Sequence, residues 1–165
     1  MIVRPSPRIE VRQCSDADVL LGILRDPSVY PWISDDCSPA AEDFDLPAEV
    51  LSRDLFLVPY VDGDAAGLAW FHAESAVLCS YHGALLPGFR GGLGVRIGRQ
   101  VFDHFFEHTD FQKVMALCPA DNPRAQRYNA AIGMRREGVL TESHLSGGEL
   151  HDLVLFGISR NKETH

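Results

Sequence analysis

Gly91, Gly92 and Gly94, set between Arg90 and Arg96, make a segment suited to holding an anion. Without Cβ atoms they let a phosphate lie close to the backbone. A helix beginning here turns its unpaired N–H groups and positive dipole end toward that phosphate. Arg90 and Arg96 could add charge-assisted hydrogen bonds. The plainer alternative is a glycine-containing loop that only starts a helix. No Gly-Lys-Ser/Thr follows the turn and no Gly-x-Gly-x-x-Gly follows an early strand, which argues against the common nucleotide-binding loops.

The elements around this turn are readable from pattern. Leu93, Ile97, Val101 and Phe105 repeat every fourth residue, Phe102 and Phe106 widen the stripe, and Arg96, Arg99, Asp103 and Glu107 fall outside it; this predicts a helix with its aromatic face in the core. Upstream, Ile9–Arg12 reads as a strand, and Ser15-Asp16-Ala17-Asp18 resembles a capping box opening a helix through Arg25. Asp26–Pro47, with four prolines and the aromatic group Tyr30, Trp32 and Phe44, suggests irregular or short helical structure over a cleft. Leu55–Val61 and Ala66–Glu74 flank the hairpin turn Asp62-Gly63-Asp64, and Ala76–Leu86 completes an antiparallel meander. After the crossover helix, Lys113–Cys118 is expected parallel to Ala76–Leu86. Asn122 and Pro123 suit the cap and first position of a second helix that Gly133 ends. Met134–His144 and Leu150–Ser159 surround Ser146-Gly147-Gly148 as a closing hairpin.

With 165 residues and 45% hydrophobic content, the chain is expected to fill one core, a single domain over residues 1–165. A net charge of −8 argues against general affinity for nucleic acid or anionic membranes and suits a cationic partner such as an amine, although solubility alone would also explain it. Cys14, Cys37, Cys79 and Cys118 are irregularly spaced, without a Cys-x-x-Cys pair or a histidine at a ligand interval, so free thiols and no metal are expected. No leader-like or membrane-spanning apolar stretch is visible, and a cytoplasmic location is the expectation. Either a monomer or a homodimer is compatible with these features.

The order strand, Arg/Gly turn, helix, strand, Asn-led helix, glycine, hairpin, over roughly residues 54–160, resembles the GNAT superfamily of acyl-CoA-dependent N-acyltransferases. Gly92-Leu93-Gly94 matches the Gly-x-Gly of the family's pyrophosphate turn. Phe89 stands where the family has Arg or Gln, with Arg90 one place late. Asn122-Pro-Arg-Ala125, Gly133-Met134 and Glu137-Gly138 resemble the second signature. Tyr81-His82-Gly83 ahead of the proline is vaguely similar to small acetyltransferase-like proteins of bacteriophages. The resemblance implies an α/β (α+β) fold with a mixed, mostly antiparallel six- to seven-stranded sheet flanked by helices. It implies acetyl-CoA as co-substrate, held by Leu85, Leu86, Phe89, Arg90, Gly91, Gly92, Leu93, Gly94, Val95, Asn122, Arg124, Tyr128 and Asn129. It also implies acetyl transfer to a primary amine of a small molecule or peptide, or else an acyl-CoA-binding module on the same fold with weak or no turnover.

Such transfer needs a neutral amine, an oxyanion donor and an acid for the thiolate. An ordinary lysine is less than about one part in a thousand neutral at pH 7, so a base must take its proton. The family's oxyanion donor is a backbone N–H at the end of the strand before the turn, making Ala84–Leu86 the candidates. The family's acid, a Tyr seven residues after the Asn, is replaced by Asn129, with Tyr128 one place early, which is about a 100° rotation on a helix. Tyr128 reads equally as proton donor or packing residue. For the base, His82 leads because imidazole titrates near neutrality, and Tyr81 and Glu74 follow; strand alternation requires that the face of His82 be the open one or that a bulge re-aim it, and a structural histidine hydrogen-bonded within the sheet is the competing reading. His72, His104, His108, His144 and His151 have no partner spacing that singles them out and read as surface or sheet residues. Cys79, with no Cys/His/acid arrangement, reads as a buried strand thiol.

Overall fold

The computed structural model describes residues 4–161. Met1–Val3, where the stretch screened for a leader begins, lie outside these residues. A first strand, β1 (Ile9–Gln13), precedes α1 (Ala17–Leu24). Asp16 caps this helix, its Oδ1 accepting from the amides of Asp18 at 2.9 Å and Val19 at 3.4 Å. The expected capping box with Ser15 as cap is therefore displaced by one residue; a carboxylate accepts from two amides and adds favourable charge at the dipole end. Residues 26–47 hold α2 (Tyr30–Ile33) and a 3-10 turn (Ala41–Asp43), followed by α3 (Ala48–Arg53), which the sequence pattern did not reveal.

The sheet comprises β2 (Leu55–Val61), β3 (Asp64–Ala65), β4 (Gly67–Ala73), β5 (Leu78–Leu85), β6 (Lys113–Pro119), β7 (Arg135–Ser146) and β8 (Glu149–Ser159), in addition to β1. Its order is β1-β2-β4-β5-β6-β8-β7, with β3 pairing only β2. All neighbours are antiparallel except β5 and β6. The sheet has eight strands, against six or seven expected. Asp62 (φ 50) and Gly63 (φ 93) form a two-residue hairpin turn with left-handed backbone, which leaves Asp64 and Ala65 to pair as a strand of their own. Ala66 then interrupts the ladder, donating to Pro59 O and accepting from Leu86 N, both at 2.9 Å.

Between β5 and β6 lies α4 (Gly92–His108), and between β6 and β7 lies α5 (Pro123–Ala131). Asn122 caps α5 through Ala125 N at 3.1 Å, and Gly133 (φ 104) follows its end, both as expected. The aromatic stripe of α4 packs on the sheet face that carries Leu57, Phe71 and Tyr81, with Phe71 and Phe105 stacked at 4.1 Å between centroids. The opposite face carries Phe56, Val58 and Leu68 under Leu20 and Leu24 of α1. Burying each such side chain contributes about 1.5–3 kcal/mol. The segment between α1 and α3 is tied to the far hairpin by Asp36, whose carboxylate accepts from the amides of Gly147 (2.9 Å) and Gly148 (2.7 Å). The four cysteines are unpaired. No helix among the described residues is long and apolar enough to cross a membrane.

One carboxylate is buried at the α3–β2 junction. Asp54 accepts hydrogen bonds from Arg53 Nε (2.8 Å), Trp70 Nε1 (2.7 Å) and His72 Nδ1 (2.8 Å). Burial alone would raise its pKa, but these donors outweigh that and lower it from 3.8 to about 2. Because the folded value lies below the unfolded one, Asp54 contributes stability above pH about 4 that is lost as pH falls toward 2, amounting to about 2 kcal/mol. Denaturant unfolding of wild type and Asp54→Asn is expected to show wild type clearly more stable at neutral pH, the difference shrinking by about that amount between pH about 5 and 2. A difference that does not change with pH would mean that the carboxylate is not held as an ion.

Candidate active site

β5 and β6 run in parallel for only three residue pairs, Leu78↔Lys113 to Ser80↔Met115. Beyond these, β6 remains paired to β8 through Pro119↔Leu153, and β5 remains paired to β4 through Leu85↔Gly67. The gap between them opens into a cavity of about 560 Å³. Tyr81, Gly83, Ala84 and Leu85 of β5 form one wall, Gly91, Val95, Ile97, Gly98 and Val101 at and after the start of α4 form another, Asn122 with Arg124, Ala125, Arg127, Tyr128 and Ala131 of α5 a third, and Val29, Trp32 and Ile33 close the remaining side.

Backbone parity decides which amides face this gap. Glu74 donates to Leu78 O and Leu86 to Ala66 O, both at 2.9 Å, so even-numbered residues of β5 direct their N–H and C=O toward β4 and odd-numbered ones face away. Gly83 and Leu85 therefore point their N–H groups into the gap where β6 does not reach. Of the expected donors Ala84–Leu86, only Leu85 is so disposed. Leu86 is engaged by Ala66, Ala84 shares its parity, and Gly83 enters instead.

The three glycines of the turn meet different demands. Gly91 (φ 77) is the cap of α4 and requires a left-handed backbone; no side chain caps the first-turn amides of Gly92, Leu93 and Gly94, and helical bonding begins with Val95 N to Gly91 O at 3.1 Å. At Gly94 a Cβ would lie 2.9 Å from Phe89 O and 2.8 Å from Leu85 Cδ1, whereas at Gly92 it would meet nothing within 4 Å. Gly94 thus lets the helix press against β5, and Gly92 leaves space for an incoming group.

Although the chain carries net negative charge, the cavity walls carry three arginines, Arg90, Arg124 and Arg127, and no Asp or Glu. Arg124 and Arg127 are exposed and make no hydrogen bond or ion pair with another described residue. Arg90 is turned differently from expectation: its Nε donates to Leu85 O (3.0 Å) and a terminal nitrogen to Ser28 O (2.9 Å), so the guanidinium braces two carbonyls. Arg96 lies outside the cavity and reaches Pro7 O. Arg127 was missed in the sequence, although its position three residues after Arg124 puts both on one helix face.

Tyr128, not Asn129, lines the cavity. Its hydroxyl donates to Gly94 O at 3.2 Å, and burial raises its pKa well above the ordinary value, so the phenol keeps its proton. Asn129 is buried outside the walls, and its carbonyl accepts from Met134 N. The structure thus brings together Leu85, Arg90, Gly91, Val95, Asn122, Arg124 and Tyr128. Phe89 and Leu93 pack against the core instead, Leu86, Gly92 and Gly94 are likewise not part of the walls, and His82 lies beyond them. His82 is exposed on the sheet face opposite α4, so that face is open at this point. Surrounding protein lowers its pKa by desolvation, and His72 adds to the effect. Burial pushes the Cys79 and Cys118 thiols up to about 11, which leaves neither activated.

A family model described as "Protein of unknown function (DUF2824)" matches residues 48–164. The chain belongs to the DUF2824 family. No curated protein sequence matches it. Among solved structures, a spermidine N-acetyltransferase from Vibrio cholerae, in complex with CoA and spermine, superposes with a TM-score of 0.74 at 14% identity, over 92% of this chain and 95% of that one. A GNAT-family acetyltransferase from Streptococcus pneumoniae gives 0.70 at 14% identity over 93% and 100%. A protein of Salmonella typhimurium, solved with its cofactor acetyl-CoA, gives 0.70 at 14% identity over 95% and 96%. This DUF2824 member therefore has the GNAT fold.

The unequal roles of the turn glycines are measurable. Gly94→Ala is expected to lower unfolding free energy by about 1–3 kcal/mol because a backbone carbonyl must move, while Gly92→Ala shifts it by no more than about 1 kcal/mol. Equal stability of the two variants would mean that α4 does not press on β5 at Gly94.

Proposed function

We propose that this protein is an acetyl-CoA-dependent N-acetyltransferase that moves an acetyl group to the primary amine of a small molecule or peptide by direct attack of the amine on the thioester. The reading rests on one observation: a single gap in the sheet is faced by two unpaired strand amides, the Tyr128 hydroxyl and arginines without carboxylates, with the uncapped start of α4 next to its Gly91 and Val95 wall. Likeness of fold to proteins solved with CoA or acetyl-CoA supports it.

The amides of Gly92, Leu93 and Gly94, with Arg124 and Arg127, suit a diphosphate and its neighbouring phosphate. Leu85, Gly91, Val95 and Asn122 contribute the adjoining wall. Gly83 and Leu85 N–H would stabilise negative charge developing on the thioester oxygen. His82 would take the amine's proton, its lowered pKa keeping it in the basic form at neutral pH. Tyr128 would return a proton to the departing thiolate. The nitrogen–carbon bond forms, the carbon–sulfur bond breaks, and no metal is called for.

The competing reading is an acyl-CoA-binding module with weak or no turnover. The bracing of Arg90 against Leu85 and Ser28, together with Phe89 in the Arg/Gln position, favours it. Thiol release from acetyl-CoA with a panel of primary amines separates the two, because a binder gives coenzyme-dependent thermal stabilisation without release.

Gly92→Glu is expected to fold normally, since its side chain meets open space, yet to lose stabilisation by acetyl-CoA; retained stabilisation would remove the turn as the anion site. Tyr128→Phe is expected to lower kcat about tenfold, the modest help a thiolate needs, with KM for acetyl-CoA near that of wild type. An unchanged kcat would make Tyr128 a packing residue.

A further inference from the structure

On the sheet face opposite α4, a carboxylate and two imidazoles form a line that ends beside the cavity. The β4–β5 register pairs Leu68 with Ala84, Trp70 with His82, and His72 with Ser80, all on one face, with successive pairs about 7 Å apart. Leu68 and Ala84 line the cavity. His82 is one step away, its ring 6.0 Å from that of Trp70, and His72 is one step further.

Asp54 stands behind Trp70 and His72. Its Oδ2 accepts from the Trp70 indole at 2.7 Å, and its Oδ1 accepts from His72 Nδ1 at 2.8 Å. An ionised carboxylate only accepts, so the hydrogen of neutral His72 resides on Nδ1 and Nε2 is its open site. The carboxylate is 1% exposed and the imidazole 34%, so the buried charge is fixed while the ring meets solvent. A proton arriving at Nε2 creates an imidazolium beside an ionised partner.

We propose that the Asp54–His72 pair receives the proton that His82 removes from the acceptor amine. This inference rests on the acetyltransferase reading above. The proton passes from the amine nitrogen to His82, through water to His72 Nε2, and from there to solvent, while Tyr128 supplies the proton taken by the thiolate. Asp54 keeps its charge throughout. It positions His72 and the Trp70 ring that walls His82, and both it and His72 act through His82. The charged and titratable groups facing this line are Arg53 and Asp54 at the α3–β2 junction, Glu74 after β4, and His82 itself.

His72→Asn retains an amide N–H toward Asp54 but has no atom that accepts a proton. It is expected to keep the thermal midpoint and acetyl-CoA affinity of wild type, to lose about tenfold or more in kcat at neutral pH, and to recover turnover as imidazole is added. His72→Gln, with a longer reach to the same carboxylate, gives the same readout if the shorter side chain impairs folding. An unchanged kcat in the folded variant, or a loss that imidazole does not restore, overturns the relay and makes the pair a structural tie between α3 and β4. Wild type that releases no thiol with any amine overturns the acetyltransferase reading and the relay together. An active wild type with an insensitive His72 variant overturns the relay alone.

Discussion

The divergence of β5 from β6 after three parallel pairs is the constraint on which the site depends. Each strand is held by its other neighbour. β6 pairs with β8 over seven consecutive residues, and the far end of β5 is drawn against β4 where Gly67 lies so near Ala84 O that a Cβ would overlap it at 2.0 Å. Closing the gap would break one of these ladders and leave buried amides unpaired, which costs more than the parallel pairing would return. The opening is a product of stronger contacts on either side.

Charge is distributed on the same principle of local satisfaction. The chain is acidic as a whole, yet the charged side chains on its cavity walls are arginines, one just before α4 and two on one face of α5. The acid buried at the α3–β2 junction, Asp54, is supplied with donors by Arg53, Trp70 and His72.

Much of this architecture was legible where the signal is local. The Asp62-Gly63 turn, the Asn122-Pro123 helix start, the aromatic stripe of α4 and the parallel placement of β6 all follow from short-range patterns, and the structure has each of them. Readings that needed tertiary information fared differently. α3 is six residues long and has no side-chain cap, too little pattern to register. The direction of Arg90 depends on Ser28, 62 residues away. Asp54 and His72 are 18 residues apart and meet only through β2–β4 pairing, so the sequence left His72 as an ordinary sheet residue. The one-residue displacement that separates Tyr128 from the family position was visible, but its consequence needed the packing of α5 on Gly98, where a Cβ would lie 2.5 Å from the Tyr128 hydroxyl.

Arg90 joins two regions that would otherwise be independent. One guanidinium grips the carbonyl that ends β5 and the carbonyl of Ser28, next to Val29 and close to Trp32 on the opposite cavity wall. Whatever competes for that cation at one wall of the cavity loosens a tether at the other. Because such linkage is reciprocal, crowding at the Trp32 side equally alters how tightly the cation is held at the turn. The two walls behave as ends of one lever with its fulcrum at residue 90.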